Sequence, residues 1–292
     1  MKRFFTILLI IIICISSFPK VSSAINSNNN NTFKIAIIDV TDKDVAKYGR
    51  FPWSRDIHAK ALKKLNVYGA KGVLFDFIFS EPDARWPERD SFFSNAIKES
   101  KIPVFIPYMF LKEGGAEAFS YKVDRMRVDD ASHIKKVSQV LPALSQFAVN
   151  ATNTGYINVY PDKDYVLKSV PVVLQWHDKF YPFIGINIAA YYKKVPIYEI
   201  YLKNKMLHVG SSKFRLNKDA SLELDFGKPF TKYIHLSYSD LFEEDLTNQI
   251  KDKFIIMSFN ASGLSDFFVT KSSNRFPGSE VHAVFLDFFF NR

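Results

Sequence analysis

Three apolar runs place this chain in the α/β class, with a parallel βαβαβ core sheet and an antiparallel, hairpin-rich middle region inserted into it. Phe33 to Asp39 is short, continuous and apolar, the pattern of a strand buried on both faces. Val73 to Phe79 repeats that pattern, and Ile102 to Phe110 repeats it again with prolines at its ends. Helical periodicity fills both intervals. Strand, helix, strand, helix, strand implies parallel neighbours joined by right-handed crossovers.

The elements follow in order. Met1-Lys2-Arg3, the apolar stretch from Phe4 to Phe18 and the small-x-small ending at Ser22 and Ala24 have the layout of a secretory signal peptide over residues 1–24, cleaved after Ala24. The stretch is short for a membrane span, which needs about 20 apolar residues; an uncleaved N-terminal membrane anchor is the alternative. Residues 25–32, rich in Asn, read as a disordered spacer. The folded domain is expected over residues 33–292.

Between the first two strands lies Gly49-Arg50-Phe51-Pro52-Trp53-Ser54-Arg55-Asp56. Ser54 can cap a helix and Asp56 suits its first turn. Ile57, Ala61, Leu65 and Tyr68 recur on one face of that helix, and Gly69 stops it. Pro82 and Pro87 mark an irregular loop. Asp90 is placed to cap a second helix with Phe92, Phe93, Ala96 and Ile97 on its buried side.

The middle has a different texture. Residues 112–130 are charged and contain Gly114-Gly115, a loop or flap. Gly155–Tyr160, Val166–Gln175 and Lys179–Phe183 read as short strands, with a hairpin turn at His177-Asp178. Ile184–Tyr192 reads as a helix, and Leu207–Val209, Lys213–Leu216 and Leu222–Phe226 as further short strands. Ser239 can cap a short helix at Asp240–Glu243. Lys253–Phe259 is another apolar strand, and Val281, Val284, Phe285, Phe288 and Phe289 form a helical stripe.

Composition bounds the function. The 292 residues are 47% hydrophobic and include 29 Phe, enough for a large core. The formal net charge is +9, but the lysines are dispersed rather than gathered in runs, which argues against a nucleic-acid partner. The single cysteine, Cys14, lies in the apolar N-terminal stretch, so the chain beyond Ala24 has no disulfide, catalytic thiolate or Cys-ligated metal. The six histidines include no i, i+4 pair. Glu81, Asp83 and Asp90 match no EF-hand spacing. There is no G-x-S-x-G elbow and no Gly-rich phosphate loop. No catalytic residue, metal or cofactor is therefore expected.

Asp39 and Asp76 close the first two strands. They should stand at the carboxyl ends of neighbouring parallel strands, the edge where open α/β sheets bind ligands. Arg55 comes from the connection above that edge, where it can pair with either acid or with an anionic ligand. Trp53 can supply a flat apolar wall. Asp39, Trp53, Arg55 and Asp76 are thus the candidate ligand-binding residues. The competing reading is an internal ion pair between Arg55 and an Asp, with Trp53 packed to hold the loop. His58 and His282 read as packed or surface histidines.

Five blocks recur in a fixed order: Ile38-Asp39; Gly49…Pro52-Trp53-Ser54-Arg55; Gly69-Ala70-Lys71-Gly72 leading into Phe75-Asp76-Phe77-Ile78-Phe79; Gly155-Tyr156-Ile157-Asn158 with Asp162 and Asp164; and Leu264-Ser265-Asp266 with Pro277-Gly278-Ser279-Glu280-Val281-His282-Ala283. In this set the chain resembles the second type of CHASE domain, the extracytoplasmic sensor regions of bacterial cyclases, histidine kinases and other receptors. The resemblance runs from Phe33 to Arg292. It departs at Lys168, where members commonly carry Arg, and at Asn260-Ala261, where a Gly is usual. It implies a non-enzymatic extracytoplasmic sensor domain that binds a small-molecule ligand or a protein partner in signal transduction. Members continue into transmembrane helices and an output domain, whereas no apolar segment of spanning length follows the N-terminal region here. The expectation is action through a membrane receptor or envelope protein, as a soluble binding protein, or as a piece of a longer receptor. An exported hydrolase using Asp39 and Asp76 as an acid/base pair, and a structural envelope protein, are the alternatives.

Overall fold

Seven strands build the main sheet in a computed structural model that describes residues 34–291. The signal peptide and spacer expected over residues 1–32 lie outside the described residues. In chain order the strands are β1 (Lys34–Val40), β2 (Gly72–Phe75), β3 (Val104–Leu111), β4 (Gln139–Leu141), β5 (Asn153–Tyr156), β6 (Ile234–Ser237) and β7 (Lys253–Phe259). In space they run β6-β1-β7-β2-β3, with β5 and the short β4 both paired to β3. Every pairing is parallel except that of β4 with the end of β3. The parallel α/β core is present.

Its order corrects one expectation. β7 inserts between β1 and β2, pairing Asp39 with Ser258 on one side and Phe75 with Met257 on the other. The first two strands are therefore not neighbours. The helical crossover after β1 steps over one position, and a late, wholly apolar strand fills the gap. Five central residues of β7 are buried, as the middle of a doubly covered sheet requires. A second correction concerns Asn153–Tyr156, which extends the parallel sheet instead of joining the antiparallel middle. Gly155 lets a helix close on it: a Cβ there would stand 2.6 Å from the Ile184 Cα.

The main helices are α1 (Asp42–Tyr48), α2 (Arg55–Val67), α3 (Arg89–Lys98), α4 (Ile184–Lys193), α5 (Asp240–Glu243) and α6 (Gly278–Phe290). Leu62, Leu65, Phe93 and Ile97 of α2 and α3 pack with Ile38, Val73 and Phe75 on one face of the sheet. Ile184 and Ile188 of α4 and Val281 and Phe285 of α6 pack with Ile37, Leu74 and Ile256 on the other. The period-2 alternation of the strands then assigns their polar ends. Asp39 follows Ile35 and Ile37, and Asp76 follows Leu74, so both acids belong to the α6 face.

Local chemistry accounts for the smaller differences. β2 ends at Phe75, four residues early, while Phe77 and Phe79 leave the ladder but remain 1% exposed. Phe92 is 55% exposed, so the buried stripe of α3 is Phe93, Ala96 and Ile97. Ser54 occupies the N-cap of α2, but its hydroxyl accepts from Arg89 Nη1 at 2.9 Å instead of capping. The unforeseen α1 is started by Thr41 and Asp44 as a capping box. Asp44 also accepts from the Tyr238 and Ser239 amides, tying α1 to the β6–α5 turn.

The middle is hairpin-rich as expected. Val173–Trp176 and Lys179–Pro182 pair antiparallel through the His177-Asp178 turn. Ile200–Lys203, Met206–Val209 and Ser212–Arg215 form an antiparallel meander. Among the described residues, no helix is long and apolar enough to cross a membrane.

Candidate functional site

A polar row crosses the carboxyl edge of the sheet beneath the first turn of α6. It starts at Glu280, which is 1% exposed and accepts from the Phe230 amide at 2.6 Å. Glu280 Oε1 lies 3.3 Å from His235 Nε2, and His235 Nδ1 lies 2.6 Å from Asp39 Oδ2. Asp39 is itself 1% exposed. His235 thus sits between two buried carboxylates. Burial works against its imidazolium, but the hydrogen bond to Asp39, the close Glu280 carboxylate and the charges of both acids prevail, pushing its pKa up to about 9.

Beside Asp39 on β7 stands Ser258, and beside Ser258 stands Asp76 just past β2. Ser258 Oγ donates to Asp76 Oδ2 at 2.9 Å. His282, one turn into α6, places Nε2 3.4 Å from Asp76 Oδ1 and stacks on Phe183 with planes 6° apart. One helix turn therefore addresses both strand-end acids: Glu280 acts through His235 on Asp39, and His282 acts on Asp76.

Trp53 and Arg55 lie on the opposite face, in a different environment. Arg55 pairs with neither strand-end acid. Its Nε is 3.3 Å from Asp90 Oδ1, its Nη2 donates to the Glu81 carbonyl at 2.7 Å, and its guanidinium lies over Phe79 at 4.9 Å. Trp53 donates from Nε1 to the Gly49 carbonyl at 2.8 Å and meets Tyr48 and Tyr238 edge-on. A hollow of about 450 Å³ lies against this turn, but both side chains are committed to the protein itself. The Phe51–Pro52 peptide bond within the turn is cis. Behind it His58, with no exposure, shares a 2.8 Å hydrogen bond with Tyr238 Oη. Burial, with the charge of Arg55 adding, pushes the His58 pKa down to about 3.

The other hollow at the carboxyl edge is a cleft of about 440 Å³ that takes in Asp76, Ser258, His282 and, at its rim, Asp266. Phe51, Met109, Ile157, Phe259 and Phe268 supply apolar walls. Burial and the charge of Asp76 raise the Asp266 carboxyl above the ordinary range. Of the four candidate residues, only Asp76 reaches this cleft. Asp39 is sealed behind His235, so Asp39 and Asp76 are not offered together to one substrate. Among the described residues, no group of three or more His, Cys, Asp or Glu could hold a metal ion.

Sequence reasoning did not single out His235, Ser258, Asp266 or Glu280 as site residues, and it left His282 as a packed histidine. A signal existed for three of them: Asp266 falls in the Leu264–Asp266 block, and Glu280 and His282 are polar positions in a largely apolar helix within the Pro277–Ala283 block. For His235 and Ser258 there was none, because a single polar residue among apolar neighbours in a strand does not announce a distant partner.

A family model for the CHASE2 domain matches residues 15–291 of the chain. No curated protein and no solved structure shows a significant match.

Proposed function

The chain belongs to the CHASE2 domain family, a family of extracytoplasmic sensor domains, and on that premise we propose that it is a non-enzymatic sensor that binds a small ligand in the cleft of Asp76, Ser258, Asp266 and His282. The observation that carries the reading is the connection between the cleft and α6. His282 lines the cleft while Glu280, two residues earlier on the same turn, is locked to His235 and Asp39. A ligand that pulls on Asp76 or His282 acts on a helix whose first turn is held by a buried charge network. A site of this kind can bias an equilibrium between two packings, which is what a sensor requires. The cleft volume also falls in the range of small-molecule sites, roughly 300–1,000 Å³.

In this reading the signal peptide is cleaved after Ala24 and the domain works outside the cytoplasm, with a membrane receptor or envelope protein as its partner. Intact-mass analysis of the exported protein tests the cleavage. A thermal-shift screen of the full chain tests the site, because a ligand that binds only the folded state raises Tm. Ligands that stabilise the wild type should lose their effect in Asp76→Asn. Stabilisation that survives both Asp76→Asn and His282→Gln would place the ligand elsewhere and sink the reading.

A further inference from the structure

We infer that the cleft takes an organic cation, an ammonium or guanidinium group carried on an apolar or aromatic body. The inference rests on the ligand-site reading above and adds the chemistry of the occupant. Four observations carry it. First, the lining is negative. It contains two carboxylates, Asp76 and Asp266, one imidazole, His282, and neither Lys nor Arg. Even with His282 counted as a cation the balance is negative, in a chain whose formal charge is +9. Two carboxylates facing one cleft repel each other, and a bound cation relieves that repulsion. The Asp266 carboxyl is raised first by burial and then by the charge of Asp76 facing it.

Second, the walls suit a cation with an apolar body. Phe51, Phe259 and Phe268 present aromatic surface, and Phe51 meets Phe259 edge-on at 4.7 Å. Aromatic faces attract an ammonium or guanidinium group, more strongly when water is excluded.

Third, His282 keeps an unused atom. The residue is 5% exposed, and its Nδ1 has no hydrogen-bond partner among the described residues. With its Nε2 proton directed at Asp76, Nδ1 is left as an acceptor for a ligand N–H.

Fourth, the feature that would favour an anion is already occupied. The Gly278 amide at the start of α6 donates to the Asp266 carbonyl at 2.9 Å, and the acids Glu280 and Asp76 sit at that helix end. A divalent metal is also poorly served, since no group of three ligating side chains gathers among the described residues.

The test compares matched probes on the full chain at neutral pH by thermal shift and calorimetry. The probes are 2-phenylethylamine, tyramine and phenylguanidine, the uncharged 2-phenylethanol, the anionic phenylacetate, and calcium chloride. The expected result is that millimolar amine or guanidine raises Tm and gives saturable heat while the alcohol, the carboxylate and calcium do not. Asp76→Asn and Asp266→Asn, which preserve shape, should each weaken cation binding at least tenfold. Leu264→Trp, which fills the cleft from its rim without changing charge, should abolish it. If phenylacetate or 2-phenylethanol binds instead and Leu264→Trp abolishes that binding, the cation class falls while the ligand site stands. If cation binding survives both Leu264→Trp and Asp76→Asn, both readings fall. A calcium shift lost in Asp76→Asn, or no shift from any cation, also overturns the inference.

Discussion

On the face of the sheet covered by α2 and α3, His58 is buried among Phe75, Phe77, Phe79 and Phe93 and stays unprotonated down to about pH 3. On the face covered by α4 and α6, His235 is held between Asp39 and Glu280 and keeps its proton up to about 9. Both rings are withdrawn from water. Burial lowers both, and only the carboxylates reverse the outcome. The same division separates Arg55, neutralised inside a closed aromatic layer, from Asp76, left open to a cleft. One face is organised for stability and the other retains groups with unspent interactions.

The largest test of this contrast is Arg55→Ala. Removing a buried cation strands Asp90 and the Glu81 carbonyl, and losing one partner of a buried pair costs about 3–5 kcal/mol. Urea unfolding should show that loss, while ligand affinity at the cleft changes little in the protein that remains folded. A change under about 1 kcal/mol would contradict the closed-face reading.

His235 comes next. Its folded pKa lies above the unfolded value of about 6.5, so its contribution is fully present below that pH and is lost as pH rises towards about 9. The total at stake is about 3 kcal/mol. Wild-type stability should fall across this window, and His235→Gln should flatten that slope. A wild-type profile level from neutral to alkaline pH would remove the charge network from the account.

His58 has the opposite sign. Its folded pKa is depressed, so its contribution is present above about 6.5 and declines as pH falls, by about 2 kcal/mol near pH 5. His58→Phe should make the protein less acid-sensitive, at a neutral-pH cost of about 1–3 kcal/mol for the stranded Tyr238 hydroxyl. The smallest stability effect belongs to Asp76→Asn, under about 1 kcal/mol, because the amide oxygen can still accept from Ser258 and only the charge facing His282 at 3.4 Å is lost. If Asp76→Asn destabilises as much as Arg55→Ala, the two faces do not differ as described.

Much of the fold was legible residue by residue. Lys253–Phe259 and Asp240–Glu243 were read with the boundaries they have, and the helices after Ser54 and at Ile184 within a few residues. Apolar runs and helical stripes are local patterns, and each reports its own burial. The candidate site was legible only in part. Asp76 was found because it ends a buried strand and then stays partly open. Asp39 looked identical in sequence, yet His235, from a strand almost two hundred residues away, closes over it. Arg55 was placed at the right edge of the sheet but on the wrong face for Asp39 and Asp76. Its helix crosses on the side opposite α6, and no residue near Arg55 states which side a crossover takes.

Chain-local chemistry was therefore enough for most of the main elements, the α/β class and the two strand-end acids, since side-chain period and backbone preference act over a few residues. Strand order, the insertion of β7 between β1 and β2, and the division of Asp39 and Asp76 from Trp53 and Arg55 came from pairing and packing across the whole length. A parallel strand can hydrogen-bond on either edge with the same apolar sequence. Which neighbour it takes is settled by how two covered faces together bury the most surface, and that sum exists only in the folded molecule.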